Sequence, residues 1–145
     1  MKHRIFLTIL LSGFACLLHA QQGLNVNELF IGKLVPREQM VEVRVKGRAL
    51  SKYNLNFYHS IRFKANEKQC NEVDKCVERD RKMAVGTEQT SRNNVSTLIM
   101  SLPQHGGLYR YLCYLTQRKG RDTLVTLVYM EGNVASIAEL RKLIH

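Results

Sequence analysis

Residues 108–131 read LYRYLCYLTQRKGRDTLVTLVYME, and this stretch decides the fold. Its two runs, Leu108 to Gln117 and Thr123 to Glu131, carry apolar side chains at both odd and even positions. That pattern is typical of strands in a sheet that is covered on both faces. The connection, residues 118–121, contains Gly120 and is typical of a tight turn. The stretch therefore predicts an antiparallel hairpin of two inner strands.

Two more strands and a helix are predicted upstream of this hairpin. Residues 41–46 (VEVRVK) alternate between apolar and charged side chains, which is the period of a strand with one wet face. Leu55 to Phe63 alternates in the same way, so we expect the two runs to be antiparallel neighbours. From residue 66 to residue 84 the apolar side chains follow a helical period instead.

The remaining segments complete the order of elements. A short helix is predicted after Asn25, a strand from Leu98 to Leu102 that stops at Pro103, and a C-terminal helix from Ser136. Residues 86–94 are polar without an apolar period and are predicted to be a loop, the most mobile part of the domain. The predicted order is α-β-β-α-β-β-β-α. It describes an α+β domain with a mostly antiparallel five-stranded sheet and helices packed on one face.

The first twenty residues have the plan of a secretory signal peptide. A basic start with Lys2 and Arg4 precedes an apolar run of about 14 residues, too short to span a bilayer, and Ala20 precedes the expected cleavage site. The chain would then divide into a signal peptide, 1–20, and a single domain, 21–145, that is periplasmic or secreted. The alternative is a lipid anchor on Cys16.

Composition indicates an ordinary globular domain with a basic surface. The 145 residues are 45% apolar and carry 22 Lys and Arg against 12 Asp and Glu. Removal of residues 1–20 would lower the formal net charge from +10 to +8. Export argues against nucleic acid as a partner, whereas anionic glycans or lipopolysaccharide would be attracted to such a surface. A chain of this size can bury a core without a metal or cofactor, and none is expected.

Five features together resemble a group of bacterial proteins. They are the signal peptide, the Leu-Phe-x-Gly motif at 29–32, the strand at 40–45, the segment at 53–63, and the ending at 128–132 (VYMEG) with a short helix after it. In this combination the chain resembles small exported domain-of-unknown-function proteins of Bacteroidota. The resemblance implies an envelope or secreted location in a Gram-negative bacterium. It carries over no activity and no functional residues.

Cysteine and histidine are the residues most able to carry chemistry. Cys70, Cys76 and Cys113 lack zinc-ligand spacing, so no metal site is predicted. Three interpretations stay open for them: core residues, a disulfide from Cys70 or Cys76 to Cys113, and a reactive thiol. His59 lies in phase with the apolar side of its strand and is predicted to be buried. With His59 or His105 as the base, Cys113 is the nucleophile of a possible thiol enzyme.

Asp80 falls in the middle of the apolar stripe of the predicted helix at 66–84. A buried carboxylate requires a partner. Either the helix turns outward near its end, or an arginine such as Arg110 reaches Asp80 from the sheet. The third alternative is a functional acid.

Thr123 is a candidate for glycosylation. Residues 122–124, Asp-Thr-Leu, resemble the short acceptor pattern for O-glycosylation of exported Bacteroidota proteins. They follow the predicted turn, where a transferase would have access.

No group of acid, base, nucleophile or metal ligands stands out, so we expect a non-catalytic binding or interaction module of the bacterial envelope. The alternatives are a thiol-dependent enzyme and a structural or assembly subunit. If helices cover one face of the sheet only, the hairpin leaves an apolar patch for self-association or an envelope protein partner. The strand period groups the following residues in that patch: Tyr109, Tyr111, Val125, Leu127 and Tyr129.

Overall fold

The computed structural model describes residues 23–144. The predicted signal peptide and Cys16 lie outside the described residues. In chain order the helices and strands are α1 (Asn27–Phe30), β1 (Met40–Lys46), β2 (Leu55–Ala65), α2 (Glu67–Arg81), β3 (Gly86–Arg92), β4 (Val95–His105), β5 (Leu108–Lys119), β6 (Asp122–Gly132) and α3 (Ile137–Ile144). Two 3₁₀ helices, Arg37–Gln39 and Gly47–Tyr53, flank β1. Among these elements no helix has both the length and the apolar character needed to cross a bilayer.

The strands form one antiparallel sheet in the order β1-β2-β6-β5-β4-β3. The predicted hairpin is confirmed as β5 and β6, and β6 lies between β5 and β2 near the middle of the sheet. Its turn is tighter than expected, because Lys119 pairs with Asp122 and only two residues separate the strands. The first of these, Gly120, has a φ of 66°, which a two-residue hairpin turn requires and which glycine adopts without steric cost. The predicted pairing of β1 with β2 is also confirmed.

Both faces of the sheet are covered, so the prediction of helices on one face is wrong. The α2 face is packed against α1, the segment before it and α2, with Phe30, Val77 and Leu112 in its core. The α3 face is packed against α3 and the 3₁₀ helix Gly47–Tyr53, with Tyr111 and Leu140 in its core. The reason lies in β5, where the successive side chains of Tyr111 and Leu112 point to opposite faces and are both fully buried. Each face therefore needs its own cover.

The sheet has six strands rather than five, since residues 86–92 form an edge strand and not a loop. β3 pairs with β4 along its whole length. Asn93 and Asn94, with φ of 51° and 66°, make the two-residue turn between them. The strand escaped prediction because its side chains are polar on both faces, as an edge strand permits, so no apolar period marks it. β4 is also longer than predicted and continues through Pro103 to His105.

Helix α2 begins as its sequence suggests and ends three residues earlier than predicted. The Asn66 side chain accepts a hydrogen bond from the Gln69 backbone N–H, and the Gln69 side chain accepts one from the Asn66 N–H. This reciprocal capping box satisfies two N–H groups that the first turn of a helix leaves without partners.

Asp80 is fully buried and binds the backbone of the N-terminal segment, so both predicted environments are wrong. Its Oδ1 accepts hydrogen bonds from the Asn25 backbone N–H at 2.7 Å and from the Asn25 side chain at 2.9 Å. Its Oδ2 accepts one from the Val26 N–H at 2.9 Å. The carboxylate thus joins the end of α2 to the start of α1, which fixes the N-terminal segment over the α2 face.

We expect Asp80→Ala to destabilise the fold by about 2–4 kcal/mol, because it leaves buried N–H donors of residues 25 and 26 without acceptors. Asp80→Asn keeps the size of the side chain but replaces one acceptor by a donor, and its loss should be of similar size. Urea unfolding monitored by circular dichroism measures both changes.

The matched control is Glu78→Ala, which removes an exposed carboxylate from the same helix. Its pair with Arg81 lies at the surface, and its removal should change the unfolding free energy by less than about 1 kcal/mol. An Asp80→Ala protein as stable as the Glu78→Ala protein would refute the role given to Asp80.

Candidate functional site

The five residues predicted to form an interaction surface do not share one. Tyr109 and Tyr111 lie on the α3 face, whereas Val125, Leu127 and Tyr129 lie on the α2 face. All except Tyr109 are fully buried within the chain. The two-residue turn causes the separation, because it pairs Tyr111 with Met130 instead of Tyr129. Odd positions of β5 therefore share a face with even positions of β6, and the predicted patch is core.

The two buried tyrosines hold parts of the chain together through their hydroxyl groups. Tyr111 donates a hydrogen bond to the Val134 carbonyl, which anchors the connection between β6 and α3. Tyr129 donates to Glu131 and accepts from Arg110 Nε at 2.8 Å. Burial is the main cause of the raised pKa of both phenols. Both hydroxyls are therefore in the protonated form that can donate these bonds at neutral pH.

A groove of about 820 Å³ lies on the α3 face. Four side chains of β4 and β5 form its floor, and they are Thr97, Ile99, Cys113 and Leu115. Thr90 and Arg92 of β3 line one side, and Arg141 of α3 lies at the end. The groove lies beside α3, which has eight residues and is about 12 Å long. A helix of this length leaves part of the face open.

The charged residues of the groove lie on β3 and α3. Arg141 donates to Glu88 from its Nε at 3.0 Å and is also paired with it through its terminal nitrogen. This ion pair attaches the C-terminal helix to the β3 edge of the sheet. Arg92 adds a second, exposed guanidinium. The groove therefore combines an apolar floor with a positive charge at its side.

The sequence prediction misses these groove residues because it makes residues 86–94 a loop. The available indication was the Asn93-Asn94 pair between residues 86–92 and an apolar strand, since consecutive asparagines suit a two-residue hairpin turn. With that turn recognised, the strand period places Glu88, Thr90 and Arg92 on a single face.

Cys113 lies in the groove floor, but its thiol is poorly suited to nucleophilic chemistry. Its side chain is 3% exposed, and burial raises the pKa of the thiol to about 12. Cys70 and Cys76 pack against the opposite, α2 face. Since the sheet separates them from Cys113, the disulfide alternative is wrong for both pairings, and all three described cysteines are free.

The two histidines considered as a base for Cys113 lie elsewhere. His59 is buried as predicted, but it lies on the α2 face, where its ring centroid is 4.6 Å from that of Phe30. Its Nε2 is hydrogen-bonded to Glu42 Oε2 at 2.8 Å. His105 is exposed at the end of β4, beside the turn at 106–107. No described cleft brings either histidine to Cys113.

Other predicted sites are placed as follows. Thr123 is the second residue of β6, half-buried beside Cys70 and Tyr114, and its glycosylation stays a prediction. Across residues 23–144, no three His, Cys, Asp or Glu side chains form a group that could hold a metal ion.

The environment of His59 makes stability depend on pH. Burial lowers its pKa below the ordinary value of 6.5, against the opposing effect of the hydrogen bond to Glu42. The unfolded chain then binds a proton more readily than the folded protein. We expect the unfolding free energy to fall as the pH drops below about 6.5. In His59→Gln the decrease that His59 causes in this pH range should be absent.

Urea unfolding between neutral and mildly acidic pH measures this effect. His105→Gln is the control, because it removes an exposed imidazole and should leave the pH dependence of the wild type. A His59→Gln protein with an unchanged pH profile would contradict the prediction.

Comparison with known proteins identifies a family and no individual relative. No curated protein and no solved structure matches the chain. The model of a family of unknown function, DUF6108, matches residues 13–144, nearly the whole chain. This protein belongs to the DUF6108 family.

Proposed function

We propose that this protein is a non-catalytic binding module of the bacterial envelope, and that its groove holds a ligand with an apolar body and an anionic group. The observation that carries the proposal is the open groove between β3, β4, β5 and α3. It lies beside the C-terminal helix, on the face that this helix covers in part.

The ligand class follows from the lining of the groove. Ile99, Cys113 and Leu115 offer apolar contact along its floor, and Thr90 and Thr97 add hydroxyl groups. Sites for small ligands typically combine an apolar lining with a few polar groups that orient the ligand. Arg141 is paired with Glu88, whereas Arg92 is exposed and adds positive charge. An anionic group beside Arg92, with apolar atoms over the floor, satisfies both parts of the lining.

The proposal is non-catalytic because the groove residues do not form a reacting set. A thiol enzyme needs an accessible thiolate and a base nearby. Cys113 is buried with a pKa of about 12, and the residues lining the groove include no histidine. Glu88, the carboxylate of the groove, is held in the ion pair with Arg141.

The exported location rests on the predicted signal peptide at residues 1–20. The resemblance to exported Bacteroidota proteins points to the same compartment. There the basic surface would favour anionic molecules, and lipopolysaccharide joins acyl chains to phosphates as the groove chemistry requires.

Binding of a dansyl-labelled fatty acid tests the groove as a site for an apolar anion. We expect the folded protein to bind the probe and Thr90→Trp to block it, since the indole would fill the groove beside Thr97. Gln89→Trp is the matched control, because it adds the same side chain to the neighbouring, exposed residue on the other face of β3. Equal binding by the two variants, or no binding by the wild type, would refute the proposal.

The charge of the ligand is tested separately at Arg92. Arg92→Glu should weaken binding of the dansyl fatty acid about tenfold while leaving binding of its methyl ester nearly unchanged. Equal losses for the acid and the ester would mean that Arg92 supports the groove without recognising an anion.

Thiol labelling separates the binding module from the thiol enzyme. At neutral pH a thiol with a pKa of about 12 has a thiolate fraction about a thousandfold below that of an ordinary cysteine. We expect Cys113 to react with a disulfide reagent only after urea unfolds the chain, as followed by mass spectrometry of the labelled peptides. Rapid labelling of Cys113 in the folded protein would favour the enzyme.

A further inference from the structure

The two edges of the sheet differ in the chemistry they present. β1 is one terminal strand and β3 is the other. Along β3 the side chains are polar or charged, and the strand starts at a glycine. Along β1 the side chains alternate between valine and charge, and Val41 and Val43 are 67% and 45% exposed. Exposed valines on an edge strand are unusual, because such strands template pairing with another chain.

β1 carries charged side chains, but it lacks other features by which proteins block such pairing. Its seven residues include no proline or glycine, and its pairing with β2 runs from Met40 to Lys46 without a bulge. Its exposed valines lie on the α3 face, and its charged residues lie on the α2 face beside the buried His59. The charged residues that matter here are Glu42 and Arg44, whose side chains are 32% and 25% exposed.

We infer that the protein forms a two-fold symmetric dimer by antiparallel pairing of β1 with β1 of a second copy, centred on Val43. In this register Val43 lies opposite Val43 of the second copy, and Val41 lies opposite Val45. On the other face Glu42 lies opposite Arg44, and the symmetry repeats this contact. The two sheets would join into one of twelve strands with both α3 faces on the same side.

The charges select this register over its neighbours. Centring the pair on Glu42 would oppose two carboxylates, and centring it on Arg44 would oppose two guanidinium groups. Like charges directly opposite each other destabilise a strand pair, and opposite charges stabilise it. Only the register centred on Val43 places Glu42 and Arg44 of each chain opposite a charge of the other sign and keeps three valines of each chain together.

The inference is independent of the proposed groove ligand, since β1 and the groove lie at opposite ends of the sheet. Sedimentation velocity of the full chain, over a concentration series, should show a reversible monomer and dimer. The groove variant Thr90→Trp should dimerise as the wild type does, so failure of one proposal is distinguishable from failure of the other.

Val43→Lys tests the strand. Two ammonium groups would face each other across the symmetry axis, and the dissociation constant of the dimer should rise at least about tenfold. Gln89→Lys is the matched control, since it adds the same charge to the opposite edge strand and should leave the dimer unchanged. Wild-type protein that stays monomeric at every concentration, or a Val43→Lys protein that dimerises normally, would overturn the inference.

A mixing experiment tests the register with one substitution in each chain. In Arg44→Glu, two carboxylates lie opposite each other at both symmetric contacts. In Glu42→Arg, two guanidinium groups lie opposite each other at the same contacts. Each variant alone should therefore be monomeric. Mixed together they restore an opposite pair at both contacts, and native mass spectrometry should detect the heterodimer. Folding of each variant is checked by circular dichroism. Absence of a heterodimer from folded variants, with the wild type dimeric, would overturn the register.

Discussion

The structure depends on one constraint, which is that the central hairpin is apolar on both faces. Successive residues Tyr111 and Leu112 of β5 are both fully buried, on opposite faces. Burial of an apolar side chain of this size contributes about 1.5–3 kcal/mol, so neither face can be left to water without a large loss. The chain therefore supplies two covers. The cover of the α2 face consists of the N-terminal segment, which precedes β1, and α2, which follows β2. The cover of the α3 face consists of the 3₁₀ helix Gly47–Tyr53, which follows β1, and α3, which follows β6.

The two covers differ in completeness, and this difference creates the candidate site. On the α2 face a 15-residue helix is joined to the N-terminal segment by the buried Asp80 carboxylate. On the α3 face the helix has eight residues, and its ion pair from Arg141 to Glu88 attaches it to the β3 edge of the sheet. The uncovered floor beyond Arg141 is mainly apolar, with one hydroxyl group from Thr97. The groove is the part of this face that α3 leaves uncovered.

Local patterns were predictable from the sequence, whereas the relations between distant elements were not. The alternation in β1 and β2, the caps at Asn66 and the hairpin at Gly120 are short-range features, and each has a direct sequence pattern. A turn longer or shorter by one residue changes which side chains of β6 share a face with those of β5. The two-residue turn places Tyr129 on the face opposite to Tyr111, outside the predicted patch. Asp80 escaped for a similar reason, since its partners lie 54 and 55 residues away and two of the three are backbone N–H groups that any sequence would offer.

The groove and the β1 edge are linked by a single row of paired residues across the α3 face. From Val43 the row passes through Ser60, Val128, Cys113 and Ile99 to Glu88 at the groove. Neighbouring strands are about 4.8 Å apart, so a dimer joined at β1 would hold its two grooves on the order of 40 Å apart on the same side of one sheet. A ligand presented many times on a surface would then engage both grooves at once. The second contact would be intramolecular, and weak binding in each groove would become strong attachment of the dimer.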